Sequence, residues 1–523
     1  MAAVQLGMGL GRRFEGALMR IGVRPLAIVG AVTGAAMLVQ GFAMAQGSVL
    51  TPSAPVAPAL SAAETPPMAA RPAVNLQPDQ VALLRRTLDL AESHGFEHNQ
   101  FAQPGLDELL QSRDPAARSV GQGKLIAATL RYALAVHGGR LAQSDYLYEW
   151  GLRPAAYDPE PDFDAAVTTD HLAAWLDSLP PPYTGYDALR GALVTYRAIA
   201  QRGGWATIPA GPDLKPGDSD PRVAALRARL AAEDTTVSPT GPSVLDPALT
   251  QALMRAQKRF GLEPSGILGK PTLTALNTPV SERVDQIIAN MERWRWLPAE
   301  LPADRIQVNI AAAVLTVFHN DTPTLSMRAV TGRPDDETPM LQSVIHSVVF
   351  NPPWNVPSTI ASKELWPKER AHPGYFARND FIVITNPDGS TRLQQKAGDK
   401  AALGHVKFDF ANKYGVYLHD TPSHSAFGRY ARMVSHGCVR LEHPVVLAKA
   451  VMDGDAKWTP DAIDQAIGDG DTVRAPLAKP ISVFLLYWTA YVGPDGAANF
   501  RGDPYDWDHA LMQRIAAGDH TGA

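Results

Sequence analysis

The apolar residues of this chain change their period near Arg305, and that change limits what the chain can fold into. Before it they recur at intervals of three and four: Val81, Leu84, Leu88 and Ala91, then Ile126, Leu130, Ala133 and Leu134, with further stretches over 171–179 and 186–199. Such spacing lines one face of a helix. From Arg305 the interval becomes two. Ile306, Val308 and Ile310 alternate, and runs at 314–318 and 343–350 follow, with returns at 414–418 and 481–491. Alternation of this kind marks strands with one buried face. At 523 residues the chain is too long for one ordinary core. The expected fold class is therefore multidomain α+β, with helical domains first and a mainly β domain after them.

Punctuation divides the chain further. Residues 1–45 read as a signal peptide. Arg12, Arg13, Arg20 and Arg24 precede an apolar stretch from Leu26 to Phe42, and Ala43-Met44-Ala45 offers a cleavage site. The alternative is an uncleaved membrane tether. Residues 46–76, rich in Pro, Ala, Ser and Thr, read as a tether without periodic structure. Residues 77–205 read as a helical scaffold domain with no cluster of catalytic types. Gly-Pro and Pro-Gly pairs over 206–219 mark a boundary. Over 215–278 three short helical faces follow, the second starting at Asp246, a suitable cap, and Pro247, suited to a first turn. A linking helix over 282–297 carries Arg293, Trp294, Arg295 and Trp296. That stripe either stacks on sugar or, more ordinarily, packs one domain on another. The β-rich domain is expected over 300–480, interrupted by an insertion over 359–411. Residues 481–523 are expected to add a closing strand and helix.

The formal net charge of −5 gives no global basic field, and no Walker loop or GxGxxG fingerprint occurs, so neither nucleic acid nor nucleotide is an expected partner. The chain holds one cysteine, Cys438. A single thiol in an exported chain is either a buried small hydrophobe or a reactive group. Its surroundings favour the second. The stretch 415–444 reads GVYLHDTPSHSAFGRYARMVSHGCVRLEHP, with His419 ending an expected strand and Cys438 nineteen residues later. A cysteine that attacks an amide must lose its proton, be oriented, and face donors for the oxyanion. His419 can take the proton, and the Asp420 carbonyl or another nearby acceptor can hold the far ring nitrogen. Gly437 allows close backbone approach, so that N–H groups near Cys438 can form the oxyanion hole. Arg440 either favours thiolate or holds the loop.

The run from His419 to Ser435-His436-Gly437-Cys438-Val439-Arg440 resembles the signature of the L,D-transpeptidases of the YkuD fold. Two further features resemble the long YcbB-type branch: FNPPWNVPSTIASKELWP at 350–367, and the order of scaffold, peptidoglycan-binding module and catalytic domain. RAQKRFGLEPSGILGKPTLTAL at 255–276 is similar to the three-helix peptidoglycan-binding module, with Ser265 in place of an acidic turn residue. The resemblance implies a mainly β catalytic domain whose insertion caps the substrate. It implies Cys438 as nucleophile, His419 as base, and Tyr417, Ser435, His436, Gly437 and Arg440 lining or organising the site. Trp354 and Asn355 are expected to touch substrate.

The implied reaction is attack by Cys438 on the third stem residue of a tetrapeptide donor, release of D-Ala, and transfer of the thioester to an acceptor stem as a 3→3 cross-link. It implies acylation by carbapenems, no cofactor and no metal, a periplasmic or envelope location, and other cell-wall enzymes as candidate partners. A zinc site built from His419, His424, His436, Cys438 and His443 lacks HExxH or paired CxxC spacing. The same nucleophile could serve an L,D-carboxypeptidase or an endopeptidase, and a non-catalytic wall-binding scaffold would keep the fold without the chemistry.

Overall fold

A computed structural model describes residues 75–521. The expected signal peptide and nearly all of the tether lie outside the described residues. Leu76, placed at the tether's end by sequence, is instead buried, and its N–H and carbonyl bond the side-chain amide of Gln122.

The first helical unit is built around helices at Pro78–Asp89, Pro115–Gly138, Pro159–Thr168 and Leu172–Ser178. Two of them start on aspartate caps followed by proline: Asp114 accepts from the Ala116 N–H and Asp158 from the Glu160 N–H. Leu84, Phe96, Leu125, Ala133 and Phe163 fill their core. The three-helix module spans Arg222–Ala231, Pro247–Arg259 and Lys270–Asn277, and Asp246 caps its second helix through the Leu249 N–H at 2.9 Å. Buried Gln257 ties its turn together, accepting from the Gly266 N–H at 2.9 Å and donating to the Ile267 carbonyl at 2.9 Å and the Thr272 hydroxyl at 3.0 Å.

The β part is a nearly closed sheet. Its strands are β1 (Arg305–Asn309), β2 (Val314–His319), β3 (Thr322–Gly332) and β4 (Leu341–Phe350). A separate small sheet holds β5 (Trp354–Asn355), β6 (Phe381–Thr385) and β7 (Thr391–Gln395). The main sheet resumes with β8 (Val406–Phe410), β9 (Leu418–His419), β10 (Met433–Ser435), β11 (Val439–Leu441) and β12 (Val473–Leu486). The spatial order is β10-β3-β11-β9-β8-β4-β12-β1-β2, and β2 pairs back with β3, which closes a ring and leaves few free edges. Ile306, Val308, Leu315, Phe408, Leu418, Val439 and Val483 point into its core and are fully buried. Each such side chain contributes about 1.5–3 kcal/mol by leaving water.

Three expectations change here. The insertion is narrower than 359–411, because Val406–Phe410 is a main-sheet strand between β4 and β9. Its alternation of Val406, Phe408 and Phe410 is hidden between Lys407 and Asp409. The strand expected over 414–418 begins only at Leu418, since Gly415 turns with φ +68° and the Asn412 side chain holds the Tyr414 and Val416 N–H groups. The division at 480 cuts β12, whose Pro476 and Pro480 interrupt its register with β4 without ending it.

Beyond β12 the chain forms a hairpin of β13 (Ala490–Val492) and β14 (Ala498–Phe500), then a helix at Trp507–Thr521. This segment returns to the linking helix, Val280–Trp294. Asn290 and Thr489 exchange two hydrogen bonds, and Gln286 donates to the carbonyls of Thr489 and Arg501. Arg293, Arg295 and Trp296 are all but fully buried, the packing role that an Arg/Trp stripe ordinarily has. Trp150, also fully buried, stands against Trp296 and Trp507 and so ties the scaffold to both.

Candidate active site

Register places the site. Phe408 pairs with Leu418, and Leu418 with Val439, all three buried inside the barrel. Alternate residues therefore share the opposite face. Lys407, His419 and Arg440 lie abreast on it. Tyr417 and Cys438 precede His419 and Arg440 by two residues, and the Val439 N–H bond to the Tyr417 carbonyl at 3.1 Å continues the pairing between them. Cys438, just before β11, and its expected base His419, on β9, thus fall on one face.

His419 is buried and bonds the Asp420 carbonyl through Nδ1. In the neutral ring Nδ1 carries the proton and Nε2 keeps the lone pair that can receive another. Burial drives the imidazole down to about 3, Arg440 and Lys407 push the same way, and the Asp420 carbonyl partly opposes them. Burial pushes the Cys438 thiol above 9.0, while the Tyr417 N–H and hydroxyl, Lys407 and Arg440 draw it back. The resting pair is therefore neutral thiol and neutral imidazole. Burial also keeps the Tyr417 phenol protonated, between the Cys438 thiol and the Trp354 indole. Lys407 stands over the Tyr417 ring, 4.2 Å from its centroid.

The loop that carries Cys438 is fixed from behind. The Ser435 hydroxyl donates to the Cys438 carbonyl at 2.6 Å and accepts from the Gly437 N–H at 3.2 Å. Thr338 donates to the Gly437 carbonyl at 2.7 Å, and its own N–H donates to the Tyr505 hydroxyl at 3.1 Å. Gly437 takes φ +99°, where a side chain would be strained. The Gly437 N–H itself is already used by the Ser435 hydroxyl. Among the described residues the Cys438 N–H makes no hydrogen bond. His436 reaches up to the small sheet's unit, its Nε2 2.6 Å from Glu364.

Tyr417, His419, Ser435, Gly437, Cys438, Arg440 and Trp354 are thus brought together. Asn355 is not: its side-chain oxygen accepts from Arg392 and Gln394 within the small sheet. Among the described residues no three His, Cys, Asp or Glu side chains gather as a metal site, and His443 is a largely exposed neighbour of Glu442. Lys407, Thr338, Glu364 and Tyr505 went unnoticed in the sequence because no local motif holds them.

Two expectations follow from the electrostatics. Alkylation of Cys438 by iodoacetamide should be slow at neutral pH and keep rising past pH 9.0; a plateau already at neutrality would contradict a raised thiol. Stability should also fall with acidity before the carboxylates titrate. His94 and His419 both stay neutral in the fold down to about 3, against an ordinary value of 6.5. Between those limits the unfolded chain binds protons that the folded chain refuses, so stability rises with pH across the window. Thermal melts should show a midpoint dropping steadily from pH 7 to pH 5, and a flat midpoint would overturn the assignment.

Three family models match along this layout. Residues 303–463 match the YkuD family, described as the L,D-transpeptidase catalytic domain. Residues 75–193 match the scaffold domain family, and residues 219–276 match the family described as "Putative peptidoglycan binding domain". A Haemophilus influenzae protein named "Putative L,D-transpeptidase" is 30% identical over 247 residues, covering 44% of this chain and 50% of the relative. The chain thus spans about half the length of the curated relative it matches. Among solved structures, an L,D-transpeptidase from Mycobacterium smegmatis is 17% identical with TM-score 0.19, covering 35% of this chain and 58% of that one. The E. faecium L,D-transpeptidase catalytic domain acylated by ertapenem is 13% identical with TM-score 0.18, covering 36% of this chain and 99% of that one. The chain carries, in order, a scaffold domain, a peptidoglycan-binding domain and a YkuD-family L,D-transpeptidase catalytic domain.

Proposed function

We propose that this chain is a cysteine L,D-transpeptidase of the cell envelope that joins peptidoglycan stems by 3→3 links. The observation that carries the reading is the shared face of Cys438, Tyr417 and His419, with the imidazole tautomer set by the Asp420 carbonyl. The Cys438 proton passes to His419 Nε2 as sulfur attacks the carbonyl of the third residue of a tetrapeptide donor. The Cys438 N–H and the Tyr417 hydroxyl are the donors for the oxyanion. The bond to D-Ala then breaks, and His419 returns the proton to the leaving amine. A neutral side-chain amine of a second stem attacks the thioester, its proton goes to His419, and the released sulfur recovers it.

The low basicity of His419 gives the substrate a part in its own activation. Arg440 and Lys407 are among the charges that hold the imidazole down. A stem carboxylate set against them would cancel that effect and make proton transfer less costly. The small sheet and its helices, joined to the site through Glu364–His436 and Trp354–Tyr417, are placed to limit water during the life of the thioester.

The test is product mass analysis after incubating the protein and its Cys438→Ala variant with disaccharide-tetrapeptide. The expected product is a Cys438-dependent dimer lighter than two monomers by one D-Ala, with fragmentation placing the link between third residues. Tripeptide monomer alone would make water the acceptor and the protein an L,D-carboxypeptidase. No product with any donor would leave the wall-binding scaffold reading.

A further inference from the structure

A groove of about 690 Å³ runs along the seam between the three-helix module and the outer wall of the barrel, and neither Cys438, His419 nor Tyr417 lines it. Its walls come from the turn after the second module helix, the end of the linking helix, the outer faces of β1 and β2, the loop before β10, and the segment around Trp488. Five lining residues are Lys or Arg, and among the described residues none of the lining is Asp or Glu. A cleft lined by one sign of charge focuses its field and gathers ions of the opposite sign.

The cations are not equivalent. Arg432 is used up on the carbonyls of Ala312, Ala313, Ala329 and Arg429, and Arg501 on backbone carbonyls and Tyr491. Lys258 and Arg429 are exposed, and among the described residues neither forms an ion pair. Beside them Trp294 and Trp488 stack with centroids 4.6 Å apart, and Tyr430 is 49% exposed. Neutral hydrogen-bonding groups, Gln307 and Thr316, complete the floor. Flat aromatic faces suit pyranose rings, neutral amides and hydroxyls suit sugar hydroxyls, and free cations suit carboxylates.

We infer that this groove is a second peptidoglycan site, holding a glycan strand and the carboxylates of its attached stems while Cys438 works on another stem. The inference rests on the reading of the chain as peptidoglycan-acting and adds to it a site that positions polymer independently of the nucleophile. Holding strand and nucleophile in one rigid frame raises the effective concentration of stems at Cys438.

The test uses the full chain with exposed charges reversed together, Lys258→Glu and Arg429→Glu. Co-sedimentation with purified sacculi should weaken roughly tenfold, as two exposed charge contacts become repulsive. Turnover of soluble disaccharide-tetrapeptide should stay within about twofold, because neither altered side chain is among the charges acting on Cys438 or His419. Sacculi whose carboxylates have been amidated should bind the unaltered protein as weakly as native sacculi bind the variant. Unchanged binding by the variant, equal binding to amidated sacculi, or tighter binding of a single-stranded oligonucleotide than of sacculi would overturn the inference. Absent soluble turnover alongside charge-dependent binding to sacculi would instead sink the transpeptidase reading and leave the groove standing.

Discussion

Cys438→Ala is expected to abolish acyl-enzyme formation, with turnover lower by roughly four orders of magnitude or more, and to leave the fold intact. The effect is large because no other thiol exists in the chain to take over the attack. The fold should survive because sulfur does not hold the loop. Ser435 bonds the Cys438 carbonyl and Thr338 bonds the Gly437 carbonyl, and both contacts persist in the variant. Intact-protein mass after incubation with a carbapenem or a tetrapeptide donor reads the first claim, and a thermal melt within about 1 °C reads the second. His419→Ala should retain slow acylation at a rate roughly 10²–10⁴-fold lower. Near-normal turnover by that variant would remove His419 from the role of base. Tyr417→Phe divides the two tasks of its neighbourhood: it removes the hydroxyl beside the thiol and keeps the ring under Lys407.

The proposed nucleophile and base could be picked out because their residues lie close together in the sequence. His419, Ser435, His436, Gly437, Cys438 and Arg440 lie within a single run whose spacing lets adjacent strands carry them. What fixes that run was not legible. Thr338 meets Gly437 across 99 positions, and Tyr505 meets Thr338 across 167. Neither residue type signals such a role where it stands. Glu364 belongs to an otherwise unremarkable Lys-Glu pair, and only the fold sets it on His436. Strand reading failed where polar residues break an alternation. β3 opens with exposed Thr322, Pro323 and Thr324 and buries its side chains only later, so it gave no early signal. β8 hid its apolar face between two charges that belong to the site's own surface. The Arg/Trp stripe was read correctly as packing for Arg293, Arg295 and Trp296. Trp294 departs from them, half-buried and facing the groove.

Glu292→Ala is expected to destabilise the chain by about 3–5 kcal/mol, the cost of leaving a buried charge without its partner. Glu292 is fully buried on the linking helix. It accepts from the Arg140 N–H at 2.6 Å and from the side chains of Arg140 at 3.2 Å and Arg295 at 2.7 Å. Burial alone would raise its carboxyl, but Arg140 and Arg295 more than offset that and hold it below its ordinary value. Arg295, equally buried, continues the network to the Tyr186 hydroxyl at 3.1 Å and the His94 carbonyl at 2.5 Å. The chain makes room for the carboxylate at Gly139, which takes φ +89° and where a Cβ would stand 2.4 Å from the Glu292 oxygen. This one carboxylate therefore binds the end of the long scaffold helix and the segment at His94 to the helix that supports the barrel. Its loss should loosen the scaffold from the catalytic domain while the chemistry at Cys438 remains possible in the molecules that stay folded. Urea midpoints compared with Glu300→Ala, an exposed control expected to shift stability by less than about 0.5 kcal/mol, would measure the effect. A shift no larger than the control's would mean that Arg140 and Arg295 find other partners and that the junction does not depend on the pair.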